Sequence, residues 1–337
     1  MDALAGMLDG PRARGAFAIR SVMSPPWSML IRDQAPLTVV AVVHGEAWVL
    51  PRDGPAVRLR AGDVAVARGP DPYVVADDPA TPPQIVIHPG QVCTTLSGES
   101  LAAEMDLGVR TWGNQHDGAT APPTTMLTGT YQHHSEVSRR LLDALPTLAV
   151  VRADDWDSPL VAMLAQEIGR DDPGQAAVLD RLLDLLLVTA LRAWFARPDT
   201  DAPPWWRANS DPVVGHALRL LHNHPERPWT IAALAAATGV SRASFARRFA
   251  SLVGEPPIAF LTGWRLTLAA DLLQEPEATV GAVARQVGYG SPFALSTAFR
   301  RRYGVSPQQY RARARGEQAS LPSLVSGGGP AEGSSPG

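Results

Sequence analysis

The groups in this sequence able to do chemistry are imidazoles, one thiol, indoles and guanidiniums. His44, His88, His116 and the adjacent His133-His134 carry rings that suit zinc, nickel or iron. They are scattered, and neighbours on a strand point to opposite faces, so His133 and His134 cannot both reach one ion. They read as surface or rim side chains, and no metal or other cofactor is expected. Cys93 is the single cysteine, which excludes an internal disulfide and a Cys-based zinc site. A redox-sensing thiol needs a lowered pKa and usually a resolving partner. Cys93 has no second cysteine to pair with and reads as a small apolar residue. Trp48, Tyr73 and His44 are the candidate lining of an effector pocket, with Trp27 and Trp112 as further wall or core aromatics. No catalytic constellation and no Gly-rich phosphate loop stands out.

The guanidiniums are distributed unevenly. All 30 basic residues of the 337 are Arg. Residues 1–211 have a balance of −9, residues 212–316 of +8 and residues 317–337 of −2. An acidic body joined to a basic module implies a polyanionic partner for that module alone. Hydrophobic residues make up 45%, which excludes a wholly disordered or fibrous chain. No apolar run is long enough to span a bilayer. The first residues carry Asp2 and Asp9 rather than a basic start and an apolar core, so no signal peptide is expected. The expected location is cytoplasmic, with no membrane partner.

The elements that position these groups change character along the chain. Leu37–Val43, Glu46–Leu50, Val57–Arg60, Val64–Ala67, Tyr73–Val75 and Gln84–His88 read as short strands broken by turns such as Asp53-Gly54 and Gly62-Asp63. That spacing indicates a sandwich or barrel. Residues 90–125 are turn-rich. From about Ser135 the period becomes helical. Val137, Leu141, Leu142 and Leu145 suggest a short helix ending at Pro146. A second starts with Ser158 as N-cap and Pro159 at its first position, with Leu160, Met163, Leu164 and Ile168 inward. Leu179, Leu182, Leu183, Leu186, Leu187, Ala190, Leu191 and Trp194 form a long apolar stripe. It packs on the barrel and supplies a dimerisation face. Residues 198–211 read as a linker, and 316–337, rich in Gly, Ser and Pro, as disordered.

The basic module repeats itself after about 50 residues, as the Gly239 to Gly288 match shows. Ile231–Ala235 matches Val280–Ala284, Phe249 matches Phe299, Gly254 matches Gly304 and Pro257 matches Pro307. Each copy opens on a Thr N-cap (Thr230, Thr279), turns at a Gly and continues into a longer helix. That is helix-turn-helix spacing, twice. Between the copies Pro257–Gln274 reads as a helix with Ile258, Leu261, Trp264, Leu268 and Leu272 on one face.

A helix that reads the major groove keeps apolar residues behind and short or polar ones in front. Residues 241–252 and 291–302 fit. Phe245 and Phe249 face inward in the first, Leu295 and Phe299 in the second. Arg242, Arg248 and the run Arg300-Arg301-Arg302 suit phosphates and predict salt-dependent affinity.

Residues 212–315 resemble the DNA-binding domain of the AraC/XylS family of transcription regulators. The resemblance is carried by Leu234-Ala235 to Gly239-Val240-Ser241-Arg242, Gly254-Glu255-Pro256-Pro257, Val287-Gly288-Tyr289 and Gly304-Val305-Ser306-Pro307-Gln308-Gln309-Tyr310-Arg311. It implies seven helices, two of them recognition helices in successive major grooves. By position it implies base contacts from Ala243, Ala246 and Arg247, and from Pro292, Phe293, Ser296 and Thr297. The apolar ones suit thymine methyls, and Arg247 suits a guanine.

Residues 1–130 are similar to a cupin barrel, on His44-Gly45-Glu46-Ala47-Trp48 and Leu59-Arg60-Ala61-Gly62-Asp63-Val64. Residues 131–200 would be a helical dimerisation segment. Metal-dependent cupins use a His-x-His pair, which these strands lack, and Tyr73 stands where a later His is expected. The expected fold is therefore multidomain α+β: a cupin-like β-barrel, a helical linker and an all-α double helix-turn-helix domain. The expected function is an effector- or stress-responsive regulator bound to double-stranded promoter DNA as a homodimer. RNA polymerase is a candidate protein partner, and the small-molecule effector is unassigned. The alternatives are a metal-dependent cupin enzyme with an accessory DNA-binding module and a nucleoid protein of low sequence preference.

Overall fold

In the computed structural model, residues 17–115, 122–131, 142–200, 202–275 and 277–319 are described. His116, His133, His134, Val137 and Leu141 lie outside them, as does the tail beyond Ala319.

The N-terminal body is built on β3 (Leu37–His44), whose first six residues are all buried. Such an unbroken apolar run belongs to a strand covered on both faces. Val39 and Ala41 join one apolar cluster and Val40 and Val42 another, as period-two alternation requires. β3 lies inside a sheet ordered β10 (Thr111–Gly113), β1 (Phe17–Met23), β11 (Thr124–Tyr131), β3, β6 (Val64–Arg68), β12 (Leu148–Val151). The facing sheet is ordered β5 (Val57–Arg60), β4 (Glu46–Pro51), β7 (Tyr73–Ala76), β2 (Ser28–Ile31), β8 (Ile85–His88), β9 (Val92–Thr95). Val40, Val42 and Met126 of the first sheet meet Met29, Ala47, Val49, Leu59 and Val75 of the second.

The first sheet's other face carries α1 (Leu160–Glu167) and α2 (Gln175–Ala196). Leu179, Leu183, Leu186, Leu187, Ala190 and Leu191 are buried against Val39, Ala41, Val64, Val66 and Leu127. Gly129 of β11 permits the close approach, because a Cβ there would lie 2.5 Å from Leu183 Cδ2. The turn before β6 is held by buried Asp63. Its carboxylate accepts from the Arg60 and Ala153 amides at 2.9 and 2.8 Å and from Arg152 Nη1 at 2.9 Å.

Several expectations need correction. β1 and β2 lie in the strand-rich stretch but outside the runs singled out above, and β12 lies where no strand was expected. β12, pairing with β6 from Leu148↔Ala67 to Val151↔Val64, puts a barrel strand inside the segment read as helical. The turn-rich stretch contains β9 and β10. α1 begins one residue later than read, although Ser158 Oγ still accepts from the Leu160 amide at 3.4 Å. Met163, read as inward, is exposed at 47%, and Ile258, placed on one face with Leu261 and Trp264, is exposed at 36% while those two are buried. Residues 198–211 are not a bare linker. They contain α3 (Pro204–Ala208), whose Trp205 and Trp206 ring centroids lie 6.1 and 5.1 Å from that of Phe195.

The basic module consists of α4 (Pro212–Asn223), α5 (Ile231–Ala237), α6 (Arg242–Val253), α7 (Pro257–Leu272), α8 (Val280–Gln286), α9 (Pro292–Tyr303) and α10 (Pro307–Ala319). The first unit packs Leu218, Leu221, Leu234, Phe245, Phe249 and Phe260 together. The second packs Leu266, Ala269, Val283, Val287, Leu295 and Phe299. α7 contributes to both, which fits two units sharing one connecting helix.

Candidate nucleic-acid interface and barrel cavity

The two copies use the same local devices. Thr230 Oγ1 accepts from the Ala233 amide at 3.1 Å and opens α5, and Thr279 Oγ1 accepts from Ala282 at 3.2 Å and opens α8. Gly239 and Gly288 turn the chain at φ 72° and 82°, a conformation where a Cβ is strained. Ser241 Oγ then accepts from the Ser244 amide at 3.3 Å, and Ser291 Oγ from Ala294 at 3.1 Å. These side chains satisfy amides that a helix start leaves orphaned. Each recognition helix thus starts at a defined residue, and that fixes which side chains lead.

Behind α6, Phe245 and Phe249 are fully buried with ring centroids 5.7 Å apart. Behind α9, Leu295 and Phe299 are fully buried, and Phe299 meets Tyr303 and Tyr310 at 4.5 and 5.3 Å. In front of α6, Arg242, Ala243 and Arg247 are exposed and Ala246 is half-buried. In front of α9, Pro292, Phe293, Thr297, Arg300, Arg301 and Arg302 are exposed and Ser296 is half-buried. The Ser296 and Thr297 hydroxyls donate to the Pro292 and Phe293 carbonyls at 2.8 and 3.0 Å. With their protons used, their lone pairs remain to accept from an adenine or cytosine amino group. Among the described residues Arg242, Arg247 and Arg300–Arg302 form no ion pair.

Arg248 differs from this set. Its Nη2 and Nε lie 2.6 and 2.9 Å from Asp211 Oδ2. Asp211 Oδ1 accepts at the same time from the Val213 and Val214 amides at 3.0 and 2.9 Å and caps α4. Arg248 therefore ties α6 to the start of α4, while its guanidinium stays 45% exposed. Burial raises the Asp211 pKa, but the Val214 amide, Arg248 and the Val213 amide outweigh it, and the net shift is downward.

The two units are joined by Arg265 of α7. Its Nε and Nη2 donate to the Pro225 and Arg227 carbonyls at 2.6 and 2.7 Å. Gly288 sits against the same loop, where a Cβ would lie 2.6 Å from the Glu226 carbonyl oxygen. Between α7 and α9 a groove of about 1020 Å³ is bounded by Ile258, Thr262, Phe293, Thr297 and Arg301. Phe293, 81% exposed, stands on this groove. Ile258 and Thr262 were not anticipated here, because the sequence reading placed Ile258 only in the apolar row of α7 with Leu261 and Trp264.

The barrel contains a cavity of about 500 Å³. Polar residues on inward strand positions keep the two sheets from closing over it: Ser21, Thr38, Thr128 and Thr130 of the first sheet face Met29, Ile31, Tyr73, Ile87 and Cys93 of the second. Asp33, Gln91 and Trp112 complete much of the wall. Of the three expected pocket residues only Tyr73 lines it. His44 is exposed at the end of β3, and Trp48 is half-buried beneath the Arg58 guanidinium, 6.0 Å from its ring, so neither lines this cavity. Trp27 is core. Burial pushes the Cys93 thiol up to about 11, which leaves little thiolate at neutral pH. His88 is hydrogen-bonded with Thr94 Oγ1 at 3.0 Å. No three His, Cys, Asp or Glu side chains gather into a metal-holding group among the described residues.

Comparison with known proteins follows this division. A cupin family model matches residues 2–196, and a helix-turn-helix domain model matches residues 234–313. An AraC-like transcription regulator of Streptomyces lividans is 31% identical over 92% of this chain and 98% of its own length. The chain belongs to the AraC family of transcription regulators. The HTH-type transcriptional regulator AlkR of Acinetobacter baylyi is similar at 28% identity over 92% of this chain and 99% of its own. Among solved structures, the DNA-binding domain of AdpA in complex with a target DNA is 37% identical. It covers 33% of this chain and 99% of its own at a TM-score of 0.31. ToxT of Vibrio cholerae covers 88% of this chain and 97% of its own at 12% identity and a TM-score of 0.33.

As an AraC-family member the chain is a DNA-binding transcription regulator, and these relatives lend no support to the enzyme alternative. The seven helices expected for an AraC-type DNA-binding domain are α4–α10. No described helix is long and apolar enough to cross a membrane.

Proposed function

We propose that this AraC-family regulator reads its operator with α6 and α9 in major grooves. The observation that carries this reading is that both helices bury an aromatic or aliphatic pair and leave unpaired, exposed side chains on the opposite face. Base edges are met by Ala243, Ala246 and Arg247 and by Pro292, Phe293, Ser296 and Thr297. Phosphates are met by Arg242, Arg248 and Arg300–Arg302, with Arg248 also paired to Asp211. The domain limits that go with this are a sensor body through α2 and a DNA-binding domain over residues 212–315. The protein acts in the cytoplasm and contacts RNA polymerase at the promoter.

The protein binds DNA as a homodimer. α2 has a second, outward stripe besides its buried one, made of Val178, Leu182 and Leu185, with Val178 and Leu185 exposed at 44% and 48%. Met163 of α1 is a further exposed apolar residue of this helix layer. The barrel cavity is the effector site. Its state reaches the DNA-binding domain through Trp205, which packs on Phe195 of α2 and on Trp264 of α7. The effector acts by biasing two arrangements of body and module.

Paired substitutions test the contact assignment. Arg247→Ala is expected to lose about 1–3 kcal/mol of preference at one base pair. Arg301→Ala is expected to weaken all sequences and to lower the salt slope by about one unit. Unchanged sequence preference in Arg247→Ala withdraws that contact.

A further inference from the structure

The barrel cavity has a distinctive charge character. Among its described wall residues only Asp33 carries a formal charge at neutral pH, and no Arg or His lines it. Asp33 Oδ1 accepts from the Ala35 amide at 3.1 Å and Oδ2 from Gln91 Nε2 at 3.4 Å. Both partners are neutral, and Asp33 has no ion pair among the described residues. A carboxylate in this largely apolar wall loses hydration without a counter-charge, and burial pushes its pKa up. An incoming cation would supply that counter-charge.

Two further observations point the same way. Tyr73 and Trp112 contribute aromatic rings to the wall, and aromatic rings attract cations. The segment 96–110 between β9 and β10, which lends Ser100 and Ala102 to the wall, carries Glu99, Glu104 and Asp106 against one basic residue, Arg110, whose guanidinium donates to Gln175 outside the wall. The net charge of this connection is −2, a balance that favours cations over anions near the cavity. An anionic amphiphile would place its charge near Asp33 with no wall cation to receive it.

Resting on the effector reading above, we propose that the cavity takes a small amine or quaternary ammonium compound with an apolar body, its cation seated on the Asp33 carboxylate. A volume of about 500 Å³ lies within the range of small-molecule sites.

The test is calorimetry on the full-length protein near neutral pH with three probes of one chain length: octylamine, octan-1-ol and octanoate. Octylammonium is expected to bind about tenfold more tightly than octanol, about 1.4 kcal/mol, with octanoate weakest. Octanol should compete with it for the same site. Asp33→Asn keeps the Oδ1 acceptor and should erase the preference of octylammonium over octanol. Octanol or octanoate binding as tightly as octylammonium overturns the cation assignment and leaves the cavity standing as an effector site. Failure of all three to bind overturns the effector reading and this proposal together. The charge series in the unaltered protein decides the matter even if Asp33→Asn does not fold.

Discussion

Asp211 shows how much of the interface depends on side chains that never touch DNA. One oxygen caps α4 and the other holds Arg248 of the first recognition helix. Asp211→Ala is expected to destabilise the protein by about 0.5–2 kcal/mol, the usual cost of losing an N-cap. Arg248→Ala should cost less, about 0–1 kcal/mol, because the guanidinium is 45% exposed and its ion pair is screened by solvent. The sign with pH follows from linkage. The folded Asp211 pKa is lowered, so its contribution is complete above the ordinary aspartate pKa of about 3.9 and is lost as pH falls. Urea unfolding at neutral and acid pH should therefore show a gap between Asp211→Ala and the parent that narrows on acidification. A gap that widens on acidification contradicts the assignment. At this scale the groups legible in the sequence were those with a local signature: the N-caps Thr230 and Thr279, and Arg247 on the outer face; the Ser241 and Ser291 caps emerge only with the structure. The Asp211–Arg248 pair spans 37 residues, and no local pattern announces it.

The helix-turn-helix elements were legible for a related reason. Cap, turn glycine and inward aromatics all lie within about twenty residues of one another, the span of a helix-turn-helix motif, and they occur twice. The barrel was less so. The main strands β3 to β8 show period-two or continuous apolar patterns. β1, by contrast, mixes Ile19 and Ser21 facing the cavity with Arg20 beside the α1 end at Gly169, which conceals a strand paired with residues more than a hundred positions away. Trp205 and Trp206 were read as linker because Pro203-Pro204 precedes them, yet their rings pack into the body. The two turn glycines separate local strain from contact between units. Both have positive φ, but a Cβ at Gly239 meets nothing within 4 Å, whereas one at Gly288 meets the Glu226 carbonyl. Gly239→Ala should cost about 1–2 kcal/mol of strain. Gly288→Ala should cost more and should also weaken binding to a two-half operator beyond its loss of stability, because it displaces the second unit from the first. Equal losses in melting and in DNA affinity for the two variants would remove Gly288 from the junction.

Across the whole molecule, an acidic N-terminal body carries a basic DNA-binding module, with α3 packed against both. The division was legible from charge alone, since the balance runs from −9 over residues 1–211 to +8 over 212–316. The cavity was not, because it arises where polar residues of β1, β3 and β11 face the second sheet, a coincidence of register visible only once the strands are paired. Dimerisation belongs to this scale. Leu185→Asp places a charge on the outward stripe of α2 while leaving its buried stripe intact. In sedimentation it should shift the protein to monomer and weaken operator binding, and a dimer that persists would move the interface elsewhere. The central claim is that two recognition helices read sequence. Its most direct test is selection of bound sequences from a random DNA library by the full-length protein, in parallel with Arg247→Ala. The account predicts an enriched motif with major-groove half-sites, of which Arg247→Ala blurs one position and leaves the remainder. Full enrichment of an unchanged motif by Arg247→Ala, or no motif from either protein, would contradict it.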